Sequence, residues 1–474
     1  MHLKADVINQ YKPINERFIN TLLKEEIALN PKKIIVLDDD PTGVQTVHDV
    51  PVYTHWDKES ITGGFLEESN VFFILTNSRA FTEDETAKAH QEIAEAVEKA
   101  AKETGKRYVI ISRGDSILRG HYPLETWILK DNFTKYSGYK VDGEILCPFF
   151  KEGGRFTIDN VHYVKYGDEL VPANETEFAK DRTFGYTAAT LPDYVEEKTG
   201  GAYLAKDVVC ISLEDIHAMN LEKIENQLME VTSFNKVIVN AVSPADIKVF
   251  CVALYRAMAR GKRFMFRTAA GFVKEFCGIS DRPLLRREEM ISDQGNNGGV
   301  IVVGSHTNKT TEQVAHLREI PDIEFIEMDA TLVKDEAAFQ AEFERCLALE
   351  EKLISEGKTV CCYTTRALIK ADTGNKEDEL RLSVRISDAV QNLVGQLKVK
   401  PAFVVAKGGI TSSDVGTKAL GVQRAWVLGQ IAPGIPVWQC AEGSKWPGIP
   451  YIIFPGNVGE AGTLKNVAEV LMGK

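Results

Sequence analysis

Short runs of β-branched and other apolar residues alternate with helical patterns along the 474-residue chain, and this alternation limits the possible folds more than any other feature. In the first part of the chain, strands are predicted at Lys33–Leu37, Val71–Leu75, Tyr108–Ser112, Gly143–Leu146, Val208–Ile211, Lys236–Asn240 and Arg263–Phe266. A second series is predicted at Val300–Val303, Ile323–Met328, Thr359–Tyr363, Ala402–Ala406, Ala425–Leu428 and Tyr451–Phe454. Helical patterns lie between them, as at Asp84–Thr104, Pro244–Arg260 and Glu336–Glu356. Because parallel strands need a crossover that usually contains a helix, the pattern predicts an α/β fold with mostly parallel sheets.

A charged segment that ends in glycines divides the chain in two. Residues 281–298 have the composition of a linker, and a new apolar run follows them directly. We therefore predict an N-terminal domain at 1–280 and a C-terminal domain at 299–474. Each is expected to hold a mostly parallel sheet flanked by helices, with the active site in the cleft between the domains. Residues 147–205 contain few strand patterns, and we expect long loops there.

The composition excludes several classes of protein. The net charge of −12, from 56 basic and 68 acidic residues, disfavours a nucleic-acid partner. The eight cysteines are scattered without a Cys-x-x-Cys pair, which is typical of free thiols in a reducing compartment. No apolar run is long enough to span a membrane, so we expect a cytoplasmic protein. The histidines show no metal spacing, and no metal ligands are predicted.

Three carboxylates follow the first predicted strand. Asp38, Asp39 and Asp40 come directly after Ile34–Leu37, and a turn with Pro41, Thr42 and Gly43 follows them. Because adjacent like charges repel one another, such a cluster rarely serves stability. It can hold Mg²⁺, accept a proton or bind substrate hydroxyls. The same residues also match the Asp-x-Asp-x-Thr pattern of aspartate-based phosphatases, so the segment indicates phosphoryl chemistry in either direction.

Polar loops follow two other predicted strands of the N-terminal part. The loop after Tyr108–Ser112 contains two arginines, whose planar guanidinium groups suit a carboxylate or phosphate, together with an acid and a serine that suit hydroxyls. The carboxyl ends of parallel strands form the binding edge of open α/β sheets. The side chains predicted to bind substrate are Asn77, Arg79, Arg113, Asp115, Ser116 and Arg119, together with Asp38.

Three turns of small residues follow predicted strands in the C-terminal part. They are Gly304-Ser305, Gly408-Gly409-Ile410-Thr411 and Pro455-Gly456. None has the spacing of a Walker loop. Glycines allow a ligand close to the backbone, and free amides at a helix start favour phosphate. Three such turns in one domain indicate a nucleotide site built from backbone amides.

Taken together, five ordered segments resemble one family, the four-carbon acid sugar kinases, and the resemblance covers nearly the whole chain. The segments are Leu37–Gly43, Asp115–Gly120, Gly304–Thr307, Gly408–Ser412 and Pro455–Gly459. The resemblance implies an acid sugar-binding N-terminal domain and an ATP-binding C-terminal domain. It implies ATP contacts at Ser305, Gly408, Gly409, Ile410, Thr411 and Gly456. Ile410 replaces an acid of the family pattern, and Arg113 stands where many members carry lysine.

The hypothesis from the sequence is an ATP- and Mg²⁺-dependent kinase that phosphorylates the terminal hydroxyl of a threonate-, erythronate- or 3-oxo-tetronate-type acid. Asp39 or Asp40 would be the general base. The expected partners are the acid sugar and ATP, and a second copy of the chain is a candidate partner. Two alternatives stay open at this point: a phosphatase with Asp38 as nucleophile and Asp40 as acid/base, and a sensor that binds an acid sugar without turnover.

Overall fold

The computed structural model describes residues 1–292, 295–366, 376–456 and 458–474, without the side chains of residues 376, 377 and 380. The chain forms two compact units. The first contains Met1–Gly43 and His55–Asp281, and the second contains Val44–Thr54 and Arg282–Lys474. Residues 44–54, which we had expected in the N-terminal domain, therefore belong to the second unit. The predicted position of the active site between the domains stays a prediction.

The strands are numbered in chain order. They are β1 Leu3–Lys4, β2 Lys33–Asp38, β3 Val50–Tyr53, β4 Val71–Leu75, β5 Tyr108–Arg113, β6 Gly143–Cys147, β7 Arg155–Ile158, β8 Val161–Tyr166, β9 Glu169–Pro172, β10 Val209–Ile211, β11 Asn235–Val239, β12 Phe264–Thr268, β13 Val300–Val303, β14 Ile323–Met328, β15 Thr359–Thr364, β16 Val404–Lys407, β17 Arg424–Ala432, β18 Ile435–Cys440 and β19 Pro450–Phe454. Every strand predicted from the sequence is present.

The α-helices are numbered in the same way. They are α1 Glu16–Leu29, α2 Lys58–Leu66, α3 Glu83–Thr104, α4 Leu124–Ser137, α5 Leu191–Lys198, α6 Leu213–His217, α7 Leu221–Glu230, α8 Pro244–Ala259, α9 Ala270–Phe276, α10 Arg287–Met290, α11 Asn308–Leu317, α12 Glu336–Ser355, α13 Lys376–Gly395, α14 Gly409–Asp414 and α15 Thr463–Met472. Among the helices of the described ranges, none is long and apolar enough to cross a membrane. The cytoplasmic location stays a prediction.

The central sheet of the first unit is entirely parallel. Its seven strands lie in the order β10, β11, β6, β12, β5, β2, β4. Strands β2, β4 and β6 are buried along their whole length, as expected for strands covered by helices on both faces. The register sets Asp38 opposite Leu75 on one side and opposite Arg113 on the other. The carboxyl ends of these strands therefore bring the acidic segment and the arginine loop together.

The sheet of the second unit is mixed. Its order is β3, β17, β18, β19, β16, β13, β15, β14, in which the five strands from β19 to β14 are parallel and the pairs at the other end are antiparallel. The sequence analysis missed β3 and β18. Each contains a proline, at Pro51 and Pro436, and proline inside an apolar run argues against a strand because it cannot donate to the ladder. The α/β class with two mostly parallel domains is confirmed.

The expectation of long loops over residues 147–205 was wrong. Strands β7, β8 and β9 form a small antiparallel sheet with β1 at its edge. Asp159 and Asn160 connect β7 to β8, and both have positive φ, 49° and 66°. Two such residues form the tight turn whose twist matches a hairpin. The local turn chemistry, rather than a long apolar run, specifies this sheet.

Candidate functional site

The carboxyl edge of the parallel sheet gathers the predicted residues of the first unit. Asp38 is 1% exposed, and Arg113 donates from Nη1 to its Oδ1 at 2.9 Å. A Cβ atom on Gly43 would lie 1.9 Å from both carboxylate oxygens of Asp38, so the backbone at Gly43 covers this side chain. Burial raises the pKa of Asp38 to about 7, against the opposing effect of Arg113. Asp38 is therefore closed off from a ligand.

Arg79 neutralises the other two aspartates. It donates to Asp39 from Nε at 3.1 Å and from Nη2 at 2.6 Å, and to Asp40 Oδ2 from Nη1 at 2.9 Å. Burial raises the pKa of Asp39, with Arg79 opposing. For Asp40, burial also acts to raise the pKa, but Arg79, Arg113 and the hydrogen bonds from Thr42 outweigh it and the pKa is lowered. Asp40 is thus held as a carboxylate.

Asp40 is the most accessible carboxylate of the three. Its side chain is 20% exposed, whereas those of Asp38 and Asp39 are 2% and 3% exposed. The Thr42 amide donates to Asp40 Oδ1 at 2.7 Å, and the Thr42 hydroxyl donates to the same oxygen. Asp40 is therefore the carboxylate of the three that is most open to a ligand, and Arg79 and Thr42 fix its orientation.

The arginine loop forms its own ion pair. Arg119 donates from Nε to Asp115 Oδ2 at 2.7 Å, and the Arg119 side chain remains 27% exposed. Burial acts to raise the pKa of Asp115, but Arg79 and Arg119 outweigh it and lower the pKa to about 2. Ser116 is buried, and its carbonyl contacts His162 Nε2 at 2.7 Å. Arg119 is placed to contact an anion while Asp115 holds it.

Asn77 lies at the end of β4 in the left-handed region, with φ of 56° and ψ of 22°. Asparagine tolerates this conformation better than most residues. The turn directs the chain into the short helix Ser78–Ala80, which carries Arg79 back towards the aspartates. Asn77 therefore shapes the path of the loop that delivers Arg79.

Two buried charged residues of this site were missed by the sequence analysis. Arg267, at the end of β12, donates to Glu125 Oε2 at 2.8 Å and to the Arg119 carbonyl at 2.8 Å. Its guanidinium fills the space that a Cβ atom on Gly114 or Gly120 would need, at 2.1 and 2.6 Å. The sequence analysis predicted this strand at Arg263–Phe266, one residue short of Arg267. An arginine directly after an apolar run was the signal that could have identified it.

The three small-residue turns of the second unit meet at one place. Val303, Lys407 and Phe454 lie in register at the carboxyl ends of the parallel strands β13, β16 and β19. A Cβ atom on Gly408 would lie 3.2 Å from Ser305 Cβ, and one on Gly456 would lie 3.2 Å from Ser305 Oγ. The structure therefore brings the predicted turns into contact around Ser305.

Hydrogen bonds to one carbonyl connect these turns. The Gly456 carbonyl accepts from Thr307 Oγ1 at 3.2 Å, from Thr310 Oγ1 at 3.1 Å and from Lys407 Nζ at 3.1 Å. Lys407 also donates to the Pro455 carbonyl at 2.6 Å. Lys407 is fully buried, and burial together with Lys309 lowers its pKa to about 7. The sequence analysis missed this lysine because it ends an apolar strand and precedes the glycines.

The loop that opens α14 combines close packing with an open face. Gly408 has φ of +128°, a conformation that other residues rarely adopt. A Cβ atom on Gly304 would lie 2.2 Å from Thr411 Oγ1, so Thr411 packs against the first turn. Gly409 has no neighbour within 4 Å of its Cβ position, and Ile410 is 72% exposed. The face at Gly409 and Ile410 is accessible to a ligand.

A metal-binding cluster is absent from the ranges that the structure describes, since no group of three or more His, Cys, Asp or Glu side chains there is suitably arranged. The three aspartates face Arg79 and Arg113, which supply the positive charge that a cation would otherwise bring. Any divalent ion would need further ligands from outside this cluster.

Comparisons with known proteins match both halves of the chain. The family model of a sugar-binding N-terminal domain matches residues 34–276, and that of a nucleotide-binding C-terminal domain matches residues 300–464. No curated protein matches the chain. A Haemophilus influenzae protein of the DUF1537 family is 16% identical, with a TM-score of 0.62 over 92% of this chain and 100% of its own. A protein from Salmonella typhimurium LT2, provisionally named a tRNA synthase, has 16% identity and a TM-score of 0.62 over 91% of this chain and 98% of its own. At such low identity, these two likenesses show the fold alone.

Proposed function

Because the chain belongs to the four-carbon acid sugar kinase family, with a sugar-binding N-terminal and a nucleotide-binding C-terminal domain, we propose that it transfers a phosphoryl group from ATP to the terminal hydroxyl of a four-carbon sugar acid. One observation carries the proposal. The same chain holds two groups of residues. The first, the Asp/Arg cluster, contains the pairs of Asp38, Asp39, Asp40 and Asp115 with Arg113, Arg79 and Arg119, and in it Asp40 is accessible and oriented. The second consists of the three glycine turns that meet around Ser305.

The residues at the glycine turns fit a nucleotide. The Cβ position of Gly409 is open, so a phosphate oxygen can approach the backbone there, whereas the Gly408 amide already donates to the Phe454 carbonyl at 2.9 Å. The residues that would hold ATP are Ser305, Gly408, Gly409, Ile410, Thr411 and Gly456. The exposed Ile410 offers an apolar contact to the base or ribose in place of the acid of the family pattern. ATP would bring Mg²⁺ on its phosphates, which neutralises charge during transfer.

Asp40 is the general base in this proposal. It accepts the proton of the terminal hydroxyl while that oxygen bonds to the γ-phosphorus and the bond to ADP breaks. Asp40 is accessible and ionised, and the hydrogen bonds from Arg79 and Thr42 hold its orientation. Asp39 is less suited to this role because its side chain is buried, whereas that of Asp40 is partly exposed.

The rest of the site would orient the acid. Asp115 and Ser116 would offer acceptors and a donor for substrate hydroxyls, and the half-buried Asn77 would offer its side-chain amide. Arg119 would bind the carboxylate, since its partly exposed guanidinium keeps donors beyond the one used by Asp115. This assignment leaves Arg113 in a supporting role, because it is buried against Asp38.

The phosphatase alternative fits less well. Its nucleophile would be Asp38, which is 1% exposed and covered by the backbone at Gly43. A phosphatase of this kind would also not require the nucleotide-binding domain. The sensor alternative explains both domains but not why an accessible carboxylate is held in its ionised form at Asp40.

An ADP-release assay with ATP and Mg²⁺ across the isomers of threonate, erythronate and 3-oxo-tetronate tests the proposal. We expect turnover with at least one acid. No turnover, together with phosphate release from phosphosugars that Asp38→Asn abolishes, would favour the phosphatase. Tight binding of an acid without ADP release would favour the sensor.

A further inference from the structure

Arginines and acids are paired throughout the Asp/Arg cluster, with one exception. The pairs are Arg113 with Asp38, Arg79 with Asp39 and Asp40, Arg267 with Glu125 and Arg119 with Asp115, each with a contact of 2.9 Å or less. Arg155, at the start of β7, forms no ion pair with any residue that the structure describes. It was not among the residues predicted from the sequence.

Arg155 contacts the same aromatic ring as Arg119, the partly exposed arginine of this cluster. Its Cζ lies 5.8 Å from the ring centroid of Phe178, and the Cζ of Arg119 lies 5.4 Å from the same centroid. The Nε of Arg155 is buried and has no hydrogen-bond partner in the described residues. The acids that act on it electrostatically are Asp115 and Glu177, and Arg119 is the opposing cation.

The guanidinium charge of Arg155 therefore has no acidic partner among the described residues, whereas Arg119 is paired with Asp115. A buried guanidinium donor without an acceptor costs free energy, and two neighbouring cations repel one another. A carboxylate between them would remove both costs, because each guanidinium can donate to it in a planar, charge-assisted pair. The phenyl ring of Phe178 supports both cations.

We propose that Arg155, together with Arg119 over the ring of Phe178, binds the carboxylate of the sugar acid and selects acids over neutral polyols. This inference rests on the proposed function, since it assigns the acid end of the same substrate. The contact between the carboxylate and the two arginines would also orient the substrate relative to Asp40. Arg79 contacts Asp40 and acts electrostatically on Asp115, which holds Arg119, so the proposed base and the cation pair belong to one charged network.

Arg155→Met tests the proposal, with Arg155→Lys as the charge-retaining variant and the exposed Arg182→Met as the matched control. Binding of the acid is measured by calorimetry without nucleotide, and kinetics are measured with the acid and with the four-carbon polyol that lacks the carboxylate. We expect Arg155→Met to weaken acid binding by roughly 10- to 100-fold, as for lost charge-assisted hydrogen bonds. Arg155→Lys should recover part of this affinity. In Arg155→Met, the KM for ATP and the activity with the polyol should equal those of the wild type.

Equal acid binding by Arg155→Met and the wild type, in a protein with an unchanged melting temperature, would overturn the inference and leave the kinase proposal intact. An equal loss for the polyol would also overturn it, because the contact would then not be to the carboxylate. If the wild type binds the acid without turnover and Arg155→Met loses that binding, the inference holds and the kinase proposal fails. If the wild type binds none of the acids, both fail.

Discussion

The guanidinium of Arg79 holds the carboxylate of Asp39 with two hydrogen bonds, 3.1 Å from Nε to Oδ2 and 2.6 Å from Nη2 to Oδ1. Its third donor group reaches Asp40. This fork explains how three consecutive acids can end a buried strand. Their repulsion is offset by Arg79 on one side and Arg113 on the other.

Replacing Arg79 by methionine should lower both activity and stability. The change leaves Asp39 buried without its two hydrogen bonds, with Arg113 Nη1 at 3.7 Å from Oδ1 as its remaining ion-pair partner. Breaking a buried ion pair costs about 3–5 kcal/mol of the free energy of unfolding. Urea unfolding measures this cost, and kcat measures the loss of orientation at Asp40. Arg79→Lys keeps the charge but not the fork, so it should restore stability more than kcat. Wild-type values in Arg79→Met would contradict the role of the fork.

Asp40→Asn and Asp38→Asn should differ in kinetics. Removing a general base lowers kcat by about 10²–10⁴. We expect this loss for Asp40→Asn, with little change in the KM for ATP. Asp38→Asn should lower kcat by less, because Asp38 is closed off from the substrate and burial already raises its pKa to about 7. A greater loss of kcat in Asp38→Asn would instead identify Asp38 as the base.

Gly43→Ala should disturb the acidic segment although it adds only a methyl group. The new Cβ atom would lie 1.9 Å from the Asp38 carboxylate, which must then move away from Arg113. Such overpacking costs about 1–3 kcal/mol. Gly462→Ala is the matched control, since its Cβ position has no neighbour within 4 Å. Chemical unfolding of both variants checks the difference, and equal stabilities would show that Gly43 does not cover Asp38.

Lys407 should make the stability of the wild type depend on pH. Burial lowers its pKa from 10.5 to about 7, so the folded protein binds fewer protons than the unfolded chain between these values. The free energy of unfolding should therefore rise with pH across this window, by at most about 1.4 kcal/mol per pH unit, relative to Lys407→Met. Below pH 7 the difference between the two proteins should be constant. A difference that does not change between pH 7 and 10 would contradict a depressed pKa.

Arg119→Ala should separate the two substrates. We expect the apparent KM for the sugar acid to rise about tenfold or more, since a charge-assisted hydrogen bond is lost, while the KM for ATP changes little. Steady-state kinetics with each substrate varied in turn measure both values. Equal increases in the two constants would remove Arg119 from the carboxylate site.

The α/β class and the strands that pair in parallel could be predicted from local patterns alone. A run such as Ile34–Leu37 is apolar enough to indicate a buried strand without any knowledge of its neighbours. Local patterns failed where a proline interrupts the run, as in β3 and β18, and where a two-residue turn specifies a hairpin, as at Asp159–Asn160. Strand β3 forms by pairing with β17, which is distant in the chain, whereas the turn at Asp159–Asn160 specifies its hairpin locally.

The sequence by itself determined which groups end each strand: the acids after β2, the arginine loop after β5 and the small residues after β13, β16 and β19. Only the tertiary structure decided which of these groups are neutralised, which are buried and which a ligand can reach. Arg113 ends β5 and Arg119 lies in the loop after it, yet the first is buried against Asp38 and the second is partly exposed and shares the ring of Phe178 with Arg155. The reason is physical: burial and charge pairing depend on distances between residues far apart in the chain, and strand register and hairpin packing set those distances.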